Sequence, residues 1–188
     1  MTLQTIFLIS SIGYMTSFGD LIRQRRSMRK YTEEAVSGEQ ENILLKAALM
    51  APSSKGTHSP EFIVVRDRDK LKALSNCKTV GSDFLAEAAM AIVVMADPSV
   101  SDVWIEDASV AASFILLQAE DLGLGSCWIQ VRERTSADGR SAAEVVRETL
   151  SVPVCKEPLC IVALGHKGME RKPQNEERLK WDKVHIAG

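Results

Sequence analysis

Apolar and polar positions alternate along the chain in blocks whose period changes from helical to strand-like and back. Phe18 to Arg26 carries Leu21 and Ile22 and runs into a basic loop, the pattern of a short helix. Ser37 followed three residues later by Gln40 forms a capping-box pattern. The segment after it sets Ile43, Leu44, Ala47, Ala48 and Met50 on one helical stripe, and Pro52 with Ser53 and Ser54 stops that helix. Phe62 to Val65 is a β-branched run of strand length, closed by charged residues from Arg66 to Asp69. Leu71 and Leu74 predict a brief helix, and the apolar run from Ala89 to Ala96 predicts a strand covered on both faces.

A long helix is expected from Asp107 to Leu122. Its Val110, Ala111, Phe114, Ile115, Leu117 and Ala119 spread too far round the axis for a thin surface stripe, so it is expected to be central and largely buried. Gly123 ends it. A third strand follows from Ser126 to Val131, a helix from Ala142 to Leu150, and a fourth strand from Leu159 to Leu164. The helices are too massive and the strands too few for a regular doubly wound sheet. The pattern therefore predicts an α+β domain, a small mixed or antiparallel sheet surrounded by helices. The expected domain spans residues 17–188. Its tail from His166 onward has only Leu179, Trp181, Val184 and Ile186 as apolar anchors, and is expected to wrap over a partner subunit.

Composition narrows the classes. A length of 188 residues fits one domain with its own core, and 45% hydrophobic with 26% charged residues reads as a globular protein. The net charge of -2 implies no general affinity for nucleic acid or an anionic membrane. Cys77, Cys127, Cys155 and Cys160 form no C-x-x-C pair and have no histidine cluster beside them, so neither a metal site nor a redox dithiol is expected. Residues 1–16 read as an N-terminal extension. Its apolar run from Ile6 to Ile9 has no Lys or Arg before it and is too short to span a bilayer. Met15 as the natural start, or a loose N-terminal arm, is favoured over export, and a soluble cytoplasmic protein is expected.

Four short segments are candidates for chemistry. Arg25-Arg26-Ser27-Met28-Arg29-Lys30-Tyr31 offers guanidinium forks and a hydroxyl suited to phosphate, although a solvated basic face or a nucleic-acid patch has the same composition. Ala51-Pro52-Ser53-Ser54-Lys55-Gly56-Thr57-His58 is rich in small hydroxyl residues that let main-chain donors approach a ligand, or serves as an ordinary loop. Gly123-Leu124-Gly125-Ser126-Cys127-Trp128-Ile129-Gln130 follows a helix and precedes a strand. That order is the reverse of a dinucleotide fingerprint, so its glycines serve a tight turn or a close approach to a flat ring. Gly165 to Pro173 supplies a second cationic set, with a solvated tail as the plainer reading.

In this order, the four segments resemble the nitroreductase family of FMN-dependent oxidoreductases. The match rests on the Arg-Arg-Ser-x-Arg opening, the Ala-Pro-Ser-Ser loop before a Phe-Ile-Val-Val strand, and the Gly-Leu-Gly-Ser-x-Trp-Ile turn after a long helix. The basic segment after the last strand and the closing Trp181-Asp182-Lys183-Val184-His185 extend it to roughly Phe18–Ile186. The resemblance implies a homodimer with two FMN sites at its interface. It implies that Arg25, Arg26, Ser27 and Arg29 hold the phosphate, ribityl chain and pyrimidine edge. Ser53, Ser54 and Lys55 would come from the partner subunit. Ile129 and Gln130 would lie near the reactive ring nitrogen, and Arg171 and Lys172 would add phosphate-binding cations.

The chain departs from the family where many relatives read Asn-x-Gln-Pro-Trp, having Gly56-Thr57-His58-Ser59-Pro60 instead. It also lacks a long insertion between the Ala89 strand and the Asp107 helix, which argues against the iodotyrosine-dehalogenase branch. The expected activity is ping-pong electron transfer from NADH or NADPH to a small flat acceptor such as a nitroaromatic or quinone. The chemistry is flavin-borne, with no catalytic side chain assigned; His58 and Cys127 read first as structural. The competing reading is a non-enzymatic FMN-binding protein for storage or regulation. Neither a nucleic-acid nor a membrane partner is expected.

Overall fold

A computed structural model describes residues 17–188, and the expectations for the N-terminal extension lie outside the described residues. Four strands, β1 (Pro60–Val65), β2 (Met90–Ala96), β3 (Leu124–Gln130) and β4 (Glu157–His166), form one sheet in the order β1-β2-β4-β3. Every adjacent pair of strands is antiparallel, with a bulge in β2 between Val94 and Met95. A single parallel bridge, Ser27 to Ser126, is added at the outer edge of β3.

Side chains alternate across a strand, and that alternation sorts the core into two layers. Ala91, Val93, Cys127, Ile129, Ile161 and Ala163 face one side, where they meet Leu71, Leu74, Val145 and Val146. These last four belong to the helices α3 (Arg68–Ser75) and α5 (Ala142–Leu150). Met90, Ile92, Val94, Cys160, Val162 and Leu164 face the other side, against Leu44, Ala48, Ala108, Ala112 and Ile115. Those come from α2 (Gly38–Leu49) and α4 (Trp104–Asp121). All of β2 is buried because helices cover both faces, which explains its uninterrupted apolar run. A short helix α1 (Phe18–Gln24) precedes the basic opening.

Local signals define the helix ends. Ser37 caps α2 through a complete capping box with Gln40, and Ser141 does the same for α5 with Glu144. The helix α4 starts at Trp104, earlier than the sequence pattern predicts. It is also less buried than predicted: Asp107, Ala108, Ala111, Ala112, Ile115 and Ala119 are enclosed, while Ser113 and Phe114 are exposed. Its apolar residues serve two surfaces, one on the sheet and one looking outward toward α1, and sequence periodicity does not separate the two.

Candidate functional site

The basic opening lies along the free edge of β3. Met28 donates its main-chain N–H to the Ser126 carbonyl at 2.9 Å. Gly125 permits this approach, since a Cβ there would sit 3.0 Å from the Met28 Cβ. In an antiparallel strand, alternate residues direct their main-chain groups to the same side. Ser126 faces outward, so Trp128 and Gln130 also present their main chain to the open edge, whereas Ile129 turns its own toward β4. The Ile129 side chain is fully buried. The Gln130 side chain accepts from the Trp128 indole at 2.9 Å and donates to the Arg132 carbonyl at 3.1 Å, which fixes the indole.

The C-terminal cationic segment is tied to the same opening from the other side. Thr32 donates to the His166 carbonyl at 3.0 Å and Gly168 to the Lys30 carbonyl at 2.9 Å. Tyr31 is held between them, its hydroxyl donating to the Met28 carbonyl at 2.8 Å. A Cβ on Gly165 would lie 2.9 Å from the Tyr31 ring, and one on Gly168 would lie 2.8 Å from the Tyr31 carbonyl. Burial first, and then the Cys127 thiol, push the Tyr31 hydroxyl far above its usual pKa, with Arg29 opposing. Further along, Arg26 donates to the Lys172 carbonyl, and Gln174 donates to the Arg23 carbonyl at 2.8 Å.

Two clefts flank this junction. One, of about 400 Å³, is lined by Arg25, Ser27, Ser113, Leu116, Leu117 and Trp128. The other, of about 630 Å³, is lined by Gln24, Met28, Glu120, Lys167, Arg171 and their neighbours. Lys167 is bonded to the enclosed Glu120 carboxylate at 2.7 Å, which leaves Arg171 as the cation of that cleft without an ion-pair partner among the described residues. Lys172 is exposed. Arg29 lies over the Phe84 ring at 5.8 Å from its centroid. Cys127 is buried nearby; its thiol pKa is raised by burial, and Arg29 and then Ser27 pull it back down.

Ser53, Ser54 and Lys55 stand apart. Their loop is fastened near the start of α4, where the Asp107 carboxylate accepts from the Ser54 N–H at 2.8 Å. Leu117, which lines the cleft with Arg25, is ten residues further along the same helix, about 15 Å at the rise of an α-helix. The fold thus brings together three of the four segments singled out from the sequence and holds the fourth at a distance.

The model of the nitroreductase family matches residues 22–79 and 72–166, covering the opening, the serine loop, the glycine turn and all four strands. The chain belongs to the nitroreductase family. A solved structure described as an FMN-dependent nitroreductase from Clostridium difficile is 50% identical with a TM-score of 0.87, covering 89% of this chain and 98% of that one. A protein of Archaeoglobus fulgidus, provisionally named NADH dehydrogenase/NAD(P)H nitroreductase, is 38% identical over 170 residues, 88% of this chain and 94% of that protein. The NADPH-flavin oxidoreductase of Vibrio harveyi is 27% identical over 176 residues, 85% of this chain and 69% of that protein.

In this member of the nitroreductase family, sequence reasoning passed over several residues of the site. Ser113, Leu116 and Leu117 read as ordinary helix positions, yet they line the same cleft as Arg25, Ser27 and Trp128. The only sequence signal was the excess apolar breadth of α4. Asp107 read as a helix start, and nothing in its neighbours indicated that it binds a loop 53 residues earlier.

Proposed function

We propose that this chain binds FMN and passes electrons from NADH or NADPH to a small flat acceptor, such as a nitroaromatic or a quinone, by a ping-pong scheme in one pocket. The observation that carries the reading is the meeting of Arg25 and Ser27 with Trp128 and the open edge of β3 around one cleft. That combination suits FMN, which needs cations for its phosphate, a flat wall for its ring and main-chain donors at the ring edge.

Arg25 and Ser27 take the phosphate end, joined by Arg171 and Lys172, and Arg26 ties that end to the tail. Arg29 faces the pyrimidine edge, where its charge favours the reduced form. The outward parity of Gln130 makes its N–H, rather than that of buried Ile129, the donor toward the reactive ring nitrogen. Bound FMN supplies the redox chemistry; the side chains position it and exclude water. The serine loop, about 15 Å along α4 from this cleft, serves the equivalent site of a second subunit.

A homodimer is supported by the outward apolar surface of Phe18, Leu21, Ala47, Phe114 and Leu117, and by the apolar residues exposed along the tail. No helix among the described residues is long and apolar enough to cross a membrane. All four cysteines are free, which fits work in the reducing cytoplasm.

The test is a visible spectrum of the purified protein, before and after NADH under nitrogen. A flavin band that bleaches and returns on adding menadione or a nitroaromatic supports the reading. A band that stays oxidised with both NADH and NADPH points to storage instead. Failure to take up added FMN overturns the reading.

A further inference from the structure

We infer that Asp107 is a positioning residue: it holds the Ser53–Lys55 loop in the shape that completes the flavin pocket of the partner subunit. The inference rests on the function proposed above and adds a residue that none of the four sequence segments contains.

Asp107 lies in the first turn of α4 and is 5% exposed. A carboxylate so enclosed requires donors to offset its lost hydration. It has three, and they converge from separate stretches of chain. Ser54 donates its main-chain N–H to Oδ1 at 2.8 Å; the Ser59 and Ser101 hydroxyls donate to Oδ2 at 3.4 and 3.3 Å. The helix N-terminus adds a favourable field for the charge.

What Asp107 brackets is a loop that does not dictate its own shape. Lys55, Gly56 and His58 have φ of 53°, 66° and 44°, all in the left-handed region that side chains with a Cβ disfavour. Ser54 and Ser59 stand on either side of these three residues, and both are bonded to Asp107. From just outside the bracket, the Ser53 hydroxyl accepts from the His58 N–H at 2.9 Å. The contact of Lys55 with Asp102 at 3.7 Å is exposed on both sides and adds little. The same helix lines the Arg25 cleft further along, so α4 sets the spacing between the loop and the chain's own cleft.

The experiment uses the full-length FMN-loaded protein, with Asp107→Ala, Asp107→Asn and the Ser59→Ala/Ser101→Ala pair. FMN affinity is read by fluorescence titration, the flavin environment by visible circular dichroism, and loop order by hydrogen exchange of residues 53–59. Asp107→Ala is expected to weaken FMN binding about tenfold, change the flavin dichroism and speed exchange in the loop, while β2 and β4 stay protected. Asp107→Asn keeps an acceptor for Ser54 and is expected to stay within about threefold of wild type. Unchanged affinity and unchanged loop exchange in Asp107→Ala would overturn the inference. Should Asp107→Ala fail to fold, the serine pair decides: faster loop exchange and weaker FMN binding support the bracket, and wild-type behaviour removes it. Wild-type protein that takes up no FMN defeats the proposed function itself. Wild-type protein that is reduced by NADH, beside an unaffected Asp107→Ala, defeats only this inference.

Discussion

The guanidinium of Arg26 donates to the main-chain carbonyl of Lys172, a residue 146 positions further along the chain. This bond, with the one from Gln174 to the Arg23 carbonyl, pins the start of the charged tail against the basic opening. Two cationic stretches that repel one another as charges are joined by giving the guanidinium a neutral acceptor. Arg26 therefore acts on the candidate phosphate end through the tail.

Replacing Arg26 with Ala removes a partly exposed charged hydrogen bond, for which about 1 kcal/mol is a fair scale. FMN affinity is expected to fall about three- to tenfold by fluorescence titration, with the tail cut more readily by trypsin. An Arg26→Ala protein with wild-type affinity and wild-type tail resistance would show that the tail is held without this bond.

Arg29 is the cation proposed above for the pyrimidine edge of the flavin. In Arg29→Ala the flavin reduction potential is expected to fall by roughly 20–40 mV, as about 1–2 kcal/mol of charge stabilisation is lost in a solvent-accessible site. Equilibration with reference dyes measures it. A potential that stays at the wild-type value removes Arg29 from that role.

Gly168 and Gly165 enclose Tyr31 from two sides. Gly168→Ala drives a methyl group against the Tyr31 carbonyl carbon and oxygen, which belong to the backbone and have little room to yield. Thermal melting should show a loss of about 1–3 kcal/mol, and more than half of the FMN should dissociate on gel filtration. A stable Gly168→Ala protein that retains its FMN would mean that the junction accommodates a side chain.

Asp138 offers a pH test away from the site. Its carboxyl pKa is lowered from 3.8 to about 2, first by the Ser136 hydroxyl and then by Arg140. The folded pKa lies below the unfolded one, so the stabilisation is fully present above about pH 4 and is lost as pH falls toward 2. The melting-temperature gap between wild type and Asp138→Asn should be flat above pH 4 and close between pH 4 and 2. A gap that persists unchanged at pH 2 would contradict this origin.

Of the fold, the local part was legible in the sequence. Ser37 with Gln40 marked the start of α2 because a capping box is contained in four consecutive residues. The apolar run of β2 predicted a strand covered on both faces because burial of alternate side chains leaves its mark residue by residue. The basic opening, the glycine turn and the family resemblance were legible for the same reason, being contiguous patterns of residue types. Tertiary structure alone decided which of them meet. The pairing of Arg26 with Lys172, the clasp of two glycines on Tyr31, and the wall of Ser113, Leu117 and Trp128 all join residues whose neighbours in sequence carry no trace of the contact. Asp107 shows it most clearly. In sequence it is an acidic residue near a helix start. In the folded chain its burial compels it to collect three donors, one from Ser101 close by and two from a single distant loop, because a charge removed from water must be satisfied by whatever the fold brings to it.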